Sequence, residues 1–148
     1  MFATFDTSLY PRINIFLDGA IENDDDYRSF VTQWENSYLN NIRKFTFVIN
    51  TLKYNASISD LRYSFQLSAF INSIKEKRKQ DRKYNRLQRS IIIVNSTLVR
   101  YLLETVFFFQ QPLAPVYIVE SVEKANQLFY NFENDIENNY SDVSVVGL

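Results

Sequence analysis

The chain contains no cysteine and no histidine. That inventory excludes disulfides, thiolate nucleophiles, zinc sites built on sulfur or imidazole, and every Ser-His or Cys-His relay. A general base would have to be Asp, Glu, Lys or Tyr, and a metal would have to be a hard cation on oxygen ligands. The expectation is therefore a protein that is not an enzyme, with no catalytic residue, no metal and no cofactor. Glycine occurs twice and proline three times in 148 residues, which rules out collagen-like or low-complexity architecture. Charge of one sign is missing too. Sixteen basic residues face seventeen acidic ones, so a net charge of −1 gives no global field to attract nucleic acid. Long apolar runs are also absent: Leu98 to Phe109 is interrupted by Arg100 and Glu104 and is too short to span a bilayer. The first residues lack the basic start and apolar run of an export signal. An intracellular, cytoplasmic location without a membrane span is the corresponding expectation.

What the chain does have is buryable surface. Apolar residues make up 46% and aromatic residues 16%, with thirteen Phe and ten Tyr, more than a disordered chain carries. Its length suits one domain. Arg12 to Gly19 alternates with Ile13, Ile15 and Leu17 on one face and then stops at glycine. Phe2 to Thr7 reads as a short edge strand before it. Asn23 followed by Asp24, Asp25 and Asp26 is a helix start, with carboxylates at the positive end of the dipole. Three consecutive helical carboxylates splay by about 100° each and do not converge on one ion.

That helix would run to Leu39, with Tyr27, Phe30, Val31, Trp34 and Tyr38 at spacings of three and four. Lys44 to Asn50 is the next strand. Ser57 or Asp60 then caps a helix carrying Leu61, Phe65, Leu67, Phe70, Ile71 and Ile74. The unbroken Ile91-Ile92-Ile93-Val94 marks a central strand covered on both faces. A helix from Asn95 or Ser96 to Phe109, a strand over Val116–Val119, and a helix from Ser121 to Phe132 complete the pattern.

Strands alternating with helices predict an α/β fold, with a single-layer, mostly parallel or mixed sheet of four to five strands and four helices. The boundaries are an N-terminal edge segment over 1–10, the α/β domain over 11–132, and an acidic, Asn-rich tail over 133–148.

Four segments give this pattern a family likeness: Pro-Arg-Ile-Asn-Ile-Phe-Leu-Asp-Gly at 11–19, Phe-Val-Ile-Asn-Thr at 47–51, Ser-Ile-Ile-Ile-Val-Asn-Ser at 90–96, and Pro-Val-Tyr-Ile-Val-Glu-Ser-Val-Glu-Lys-Ala at 115–125. Together, over Pro11 to Phe132, they resemble the STAS domain, particularly its SpoIIAA-like branch, a distant topological relative of the CRAL-TRIO lipid-binding fold. The resemblance implies a protein-interaction module. In the anti-sigma-factor antagonists of that family a Ser or Thr is phosphorylated at the start of the helix after the second core strand. The matching positions here are Ser57 and Ser59.

Two further features bear on binding. The segment Lys75 to Arg89 holds eight of the sixteen basic residues, opposed only by Glu76 and Asp81. Within it Lys77, Arg78, Lys79, Arg82 and Lys83 are candidate partner contacts, or simply a solvated helix end where cations suit the dipole. The second feature is the 97–109 helix, too apolar for one buried stripe. At 100° per residue, Leu98, Val99, Leu102, Leu103, Val106 and Phe109 fall in one arc of about 140°, whereas Tyr101 and Phe108 lie outside it. Those two are candidate interface anchors.

The functional expectation is a non-enzymatic module that docks a protein partner, or a second copy, through the apolar helix and the basic segment, with nucleic acid disfavoured. The alternative is a structural assembly subunit, such as a minor component of a viral particle or scaffold. A small lipid- or anion-binding domain ranks third.

Overall fold

The computed structural model describes residues 1–147, and in it alternating apolar strands and amphipathic helices build the expected α/β fold. In chain order the elements are β1 (Ala3–Leu9), β2 (Arg12–Gly19), α1 (Asp24–Asn40), β3 (Phe45–Tyr54), α2 (Leu61–Lys77), β4 (Leu87–Ile93), α3 (Thr97–Phe109), β5 (Val116–Val119), α4 (Val122–Glu133) and β6 (Ser144–Val146). The strands lie in the sheet in sequence order. β2 through β5 are parallel to one another, while β1 and β6 flank them antiparallel.

The sheet thus has six strands among the described residues, where the sequence suggested four or five. The sixth, Ser144–Val146, lies inside the segment expected to be a tail. Three residues are too few to show a period. β6 forms because β5 would otherwise present an unpaired edge, and because Val145 and Val146 each have an apolar cluster to pack on.

Each crossover between neighbouring parallel strands carries one helix, and α1, α2 and α3 all lie on one face. There Phe30, Trp34 and Tyr38 of α1, Ile71 and Ile74 of α2, and Val99 and Val106 of α3 cover Ile13, Ile15, Phe45, Phe47, Ile49 and Ile92. Much of this packing is aromatic edge against face: Trp34 sits 5.6 Å from Phe47 and 5.4 Å from Phe70, and Tyr38 sits 5.6 Å from Phe45. On the other face α4 alone, through Ala125 and Leu128, covers Val48, Ile91, Ile93, Tyr117 and Val119. The run Ile91-Ile92-Ile93-Val94 is apolar throughout because its alternate members serve the two clusters. Where α4 does not reach, Phe16 of β2 remains 44% exposed.

α2 buries a different face from the one its largest residues suggest. Its buried positions are Tyr63, Ser64, Ser68, Ile71 and Ile74, while Phe65 is exposed and Leu67 and Phe70 are half-buried. The cause is the α2–α3 contact. Ser64 and Ser68, one turn apart, donate hydrogen bonds to the carbonyls of Leu102 (3.1 Å) and Val106 (3.0 Å). Small side chains allow the helices to approach closely, and their hydroxyls are satisfied there. Two positions that look polar on paper therefore hold the seam, and Phe65 turns outward.

Between the three-helix layer and the sheet a void of about 120 Å³ is left, with walls that are almost wholly apolar. Protein interiors pack to near-crystalline density.

The seam makes a specific demand on residue size. Ser68→Leu should lower the free energy of urea unfolding by about 1–3 kcal/mol by forcing α2 away from α3. Gln66→Leu, on the exposed side of α2, should change it by less than about 0.5 kcal/mol.

Candidate functional site

Exposed aromatic residues gather at the outer surface of α2 and α3, while Phe16, Tyr130 and Tyr140 are exposed elsewhere. Phe108 is 82% exposed and Phe109 58%; their rings meet edge to face at 5.0 Å. Phe109 in turn lies 5.3 Å from Phe65. Tyr101, 47% exposed, stands two turns earlier on α3 on the same side as Phe108. Tyr101 and Phe108 are thus exposed, as their angular positions indicated.

Phe109 corrects the expectation: its angle puts it in the buried arc, yet as the last residue of α3 it is exposed, with its ring against Phe65 and Phe108. Phe65, which the sequence marks only as one of the apolar residues of its helix, lies exposed beside the face that the two serines occupy. The signal available was the Ser64/Ser68 spacing of four, which marks a close helix contact and puts Phe65 beside it.

The basic segment begins in the last turn of α2 and continues through the loop to β4, at the same end of the layer as Phe108 and Phe109. The fold uses much of it internally. Lys77 Nζ bonds Glu35 Oε2 at 2.7 Å, and the same oxygen accepts from the Tyr84 hydroxyl at 2.9 Å. Arg78 donates to the Leu113 carbonyl at 2.9 Å, tying the segment to the loop that follows Phe109. Lys79 pairs with Glu76 at 3.0 Å on the same helix end. Arg86 donates to the carbonyls of Tyr38 and Asn41, and the Arg89 guanidinium stacks over Phe132 at 4.1 Å. Arg82 and Lys83 are exposed and make no ion pair among the described residues. Of the five basic candidates, these two are the cations left to meet another molecule; their turn packs on α1 and the end of α2, where Tyr84 meets Tyr38 and Glu35.

The other end of the layer gathers tyrosines and carboxylates. The Tyr54 hydroxyl donates to Asp60 Oδ2 at 2.6 Å, and the same oxygen accepts the Ser57 amide at 3.1 Å. Burial first, and then this carboxylate, hold the Tyr54 phenol well above its usual range. Tyr63 donates to Asp24 Oδ1 at 2.8 Å, stacks on Tyr27, and receives a hydrogen bond from Arg62. Asp25 pairs instead with Arg28, and Asp26 accepts from the Glu22 amide, so the three acidic residues at the start of α1 diverge. Among the described residues no group of three or more Asp or Glu is placed to hold a metal ion. These contacts pin the β2–α1 and β3–α2 connections to one another. Ser57 and Ser59 are exposed in the 3₁₀ turn that opens α2, with their hydroxyl oxygens 2.7 Å apart.

No helix among the described residues is long and apolar enough to cross a membrane. Compared with protein-family models, with curated proteins and with solved structures, the chain matches none.

Glu35 anchors the basic helix end to α1 and gives the pair a pH signature. Its partial burial opposes ionisation, but hydrogen bonds from Lys77 and Tyr84 and the Lys77 charge outweigh it, and the carboxyl is held below its usual value of 4.5. A depressed folded-state pKa contributes stability above the unfolded value and loses it as pH falls through the folded one. Glu35→Gln should therefore be less stable than the parent at pH 7, and the difference should shrink as the pH is lowered below 4.5, measured by urea unfolding across that range. A difference independent of pH would exclude the ion pair as its source.

Proposed function

We propose that the protein is a non-enzymatic interaction module that docks a protein partner through the outer surface of α2 and α3. The observation that carries this reading is the contiguous exposed cluster of Phe65, Phe108 and Phe109, with Tyr101 beside it. Aromatic side chains in water are costly to leave uncovered, and clustered aromatics form the centres of protein interfaces. The exposed cations Arg82 and Lys83, in the turn that packs on α1 and α2, favour a partner that also carries acidic side chains, because exposed charges steer encounter and select orientation.

The reading extends to a STAS-like organisation. What supports it is the succession of parallel strands with crossover helices after an N-terminal hairpin. The position of Ser57 and Ser59 also fits: they stand exposed where α2 begins, after the second parallel strand. A phosphate on either would lie beside the buried Asp60 carboxylate, which already bonds the Ser57 amide, so modification would act by loosening this turn.

A second reading, assembly with further copies of the chain as in a scaffold or virion, is favoured by one observation. The molecule carries its own acidic complement, exposed at Glu133, Asp135, Glu137 and Asp142.

Tyr101→Asp combined with Phe108→Asp should abolish complex or oligomer formation in light scattering and leave the circular dichroism and thermal midpoint within a few degrees of the parent. Both side chains are exposed, so unchanged assembly would remove the α3 surface from consideration. If copies join through opposed charges, about a tenfold rise in salt should dissociate them, since exposed charges more than ~8 Å apart are already screened at physiological ionic strength. If the aromatic cluster dominates, assembly should persist or strengthen.

A further inference from the structure

The void beneath the helical layer has the attributes of a ligand site. It lies between β3, β4 and β5 on one side and all three helices of that face on the other. Its walls include Phe30, Trp34, Ile92, Val99, Val106 and Phe107. Two of the hydroxyls that line it are already spent: Thr51 donates to the Ile93 carbonyl at 2.6 Å, and Ser64 to the Leu102 carbonyl. Ser90 differs. It is 95% buried, reckoned from a relative exposure of 5%, and shares the helix-facing side of β4 with Ile92. Among the described residues no hydrogen bond uses its hydroxyl.

A buried hydroxyl in a central strand ordinarily has a partner, and a small apolar chain would fill this position better if packing were the only demand. The exposed wall of the cavity is overwhelmingly apolar, whereas water needs two to four polar partners. An apolar engineered cavity of about 150 Å³ stays dry and takes benzene. A space of about 120 Å³ with aromatic walls is of the size that takes a single ring.

We infer that this cavity binds a small aromatic molecule carrying one hydroxyl or carbonyl oxygen, a phenol or a compound of that class, with the ring among Trp34, Val99 and Val106 and the oxygen on Ser90 Oγ. The ring supplies the contacts the void lacks, and the oxygen satisfies the hydroxyl. The site is separate from the outer aromatic surface and stands or falls independently of it.

Phenol and toluene are the probes, titrated into the full chain by calorimetry, with nuclear Overhauser contacts from the probe to the protein methyl groups. Both should bind and raise the thermal midpoint, with contacts to Ile92, Val99 and Val106. Ser90→Ala keeps the room and removes the hydroxyl; it should weaken phenol by up to about tenfold, the worth of one buried hydrogen bond, and leave toluene within about twofold. Val106→Phe should fill the space and abolish binding of both. Because that variant must fold to be informative, Ser90→Ala and the Overhauser contacts decide the matter without it. Failure of both probes to bind would overturn the inference. So would contacts only to the outer ring of Phe65, Phe108 or Phe109, or a phenol affinity indifferent to Ser90→Ala.

Discussion

Three successive crossovers of one hand govern this molecule. A strand, a helix and the next parallel strand connect almost always in the right-handed sense. When β2, β3, β4 and β5 are added in one direction without a reversal, α1, α2 and α3 are all delivered to the same face. The consequences are unequal. One face receives a three-helix layer and most of the aromatic core, whereas the other is served by α4 alone and leaves Phe16 partly in water. Closing the open edge of β5 with Ser144–Val146 follows from the same arrangement, because no further crossover is available to cover it.

The helical layer is held by contacts of different kinds along its two seams. Between α2 and α3 the serine hydroxyls bond directly to backbone carbonyls, and the helices lie close. Between α1 and α2 the contacts are larger and more polar at the ends: Tyr27 on Tyr63 near one end, Trp34 on Phe70 in the middle, and Glu35 with Lys77 at the other. A layer pinned at its ends and tight on one seam spans the sheet without filling the space beneath it. Hence a chain rich in large aromatics still encloses a void. The same close approach that seats Ser64 and Ser68 turns Phe65 outward to join Phe109. The internal cavity and the external patch therefore share an origin in the choice of small residues at two positions.

Charge is organised by this packing as well. The basic segment looks in sequence like a free patch of eight cations, but Lys77, Arg78, Arg86 and Arg89 each have a partner within the fold, in a carboxylate, backbone carbonyls or an aromatic ring. Long basic side chains cover apolar surface with their stems and bond with their heads. What remains for another molecule is narrower than the composition implies: Arg82 and Lys83, in the turn between α2 and β4.

The sequence by itself determined the alternation of strands and helices, the Ser121 cap, the glycine that ends β2 at φ +74° and the extent of β5, because these depend on local period, capping and backbone freedom; it narrowed the α3 cap to Asn95 or Ser96, and the fold uses Ser96. It also marked Tyr101 and Phe108 as outside the buried arc of α3, since a single helix obeys its own 100° rotation. Only the tertiary structure decided which side of α2 is buried, that Phe109 is exposed against Phe65, that Ser144–Val146 completes the sheet, and that Ser90 lines a void. Each of these depends on what a distant segment places opposite, and a pattern read along one chain carries no record of its neighbours in space.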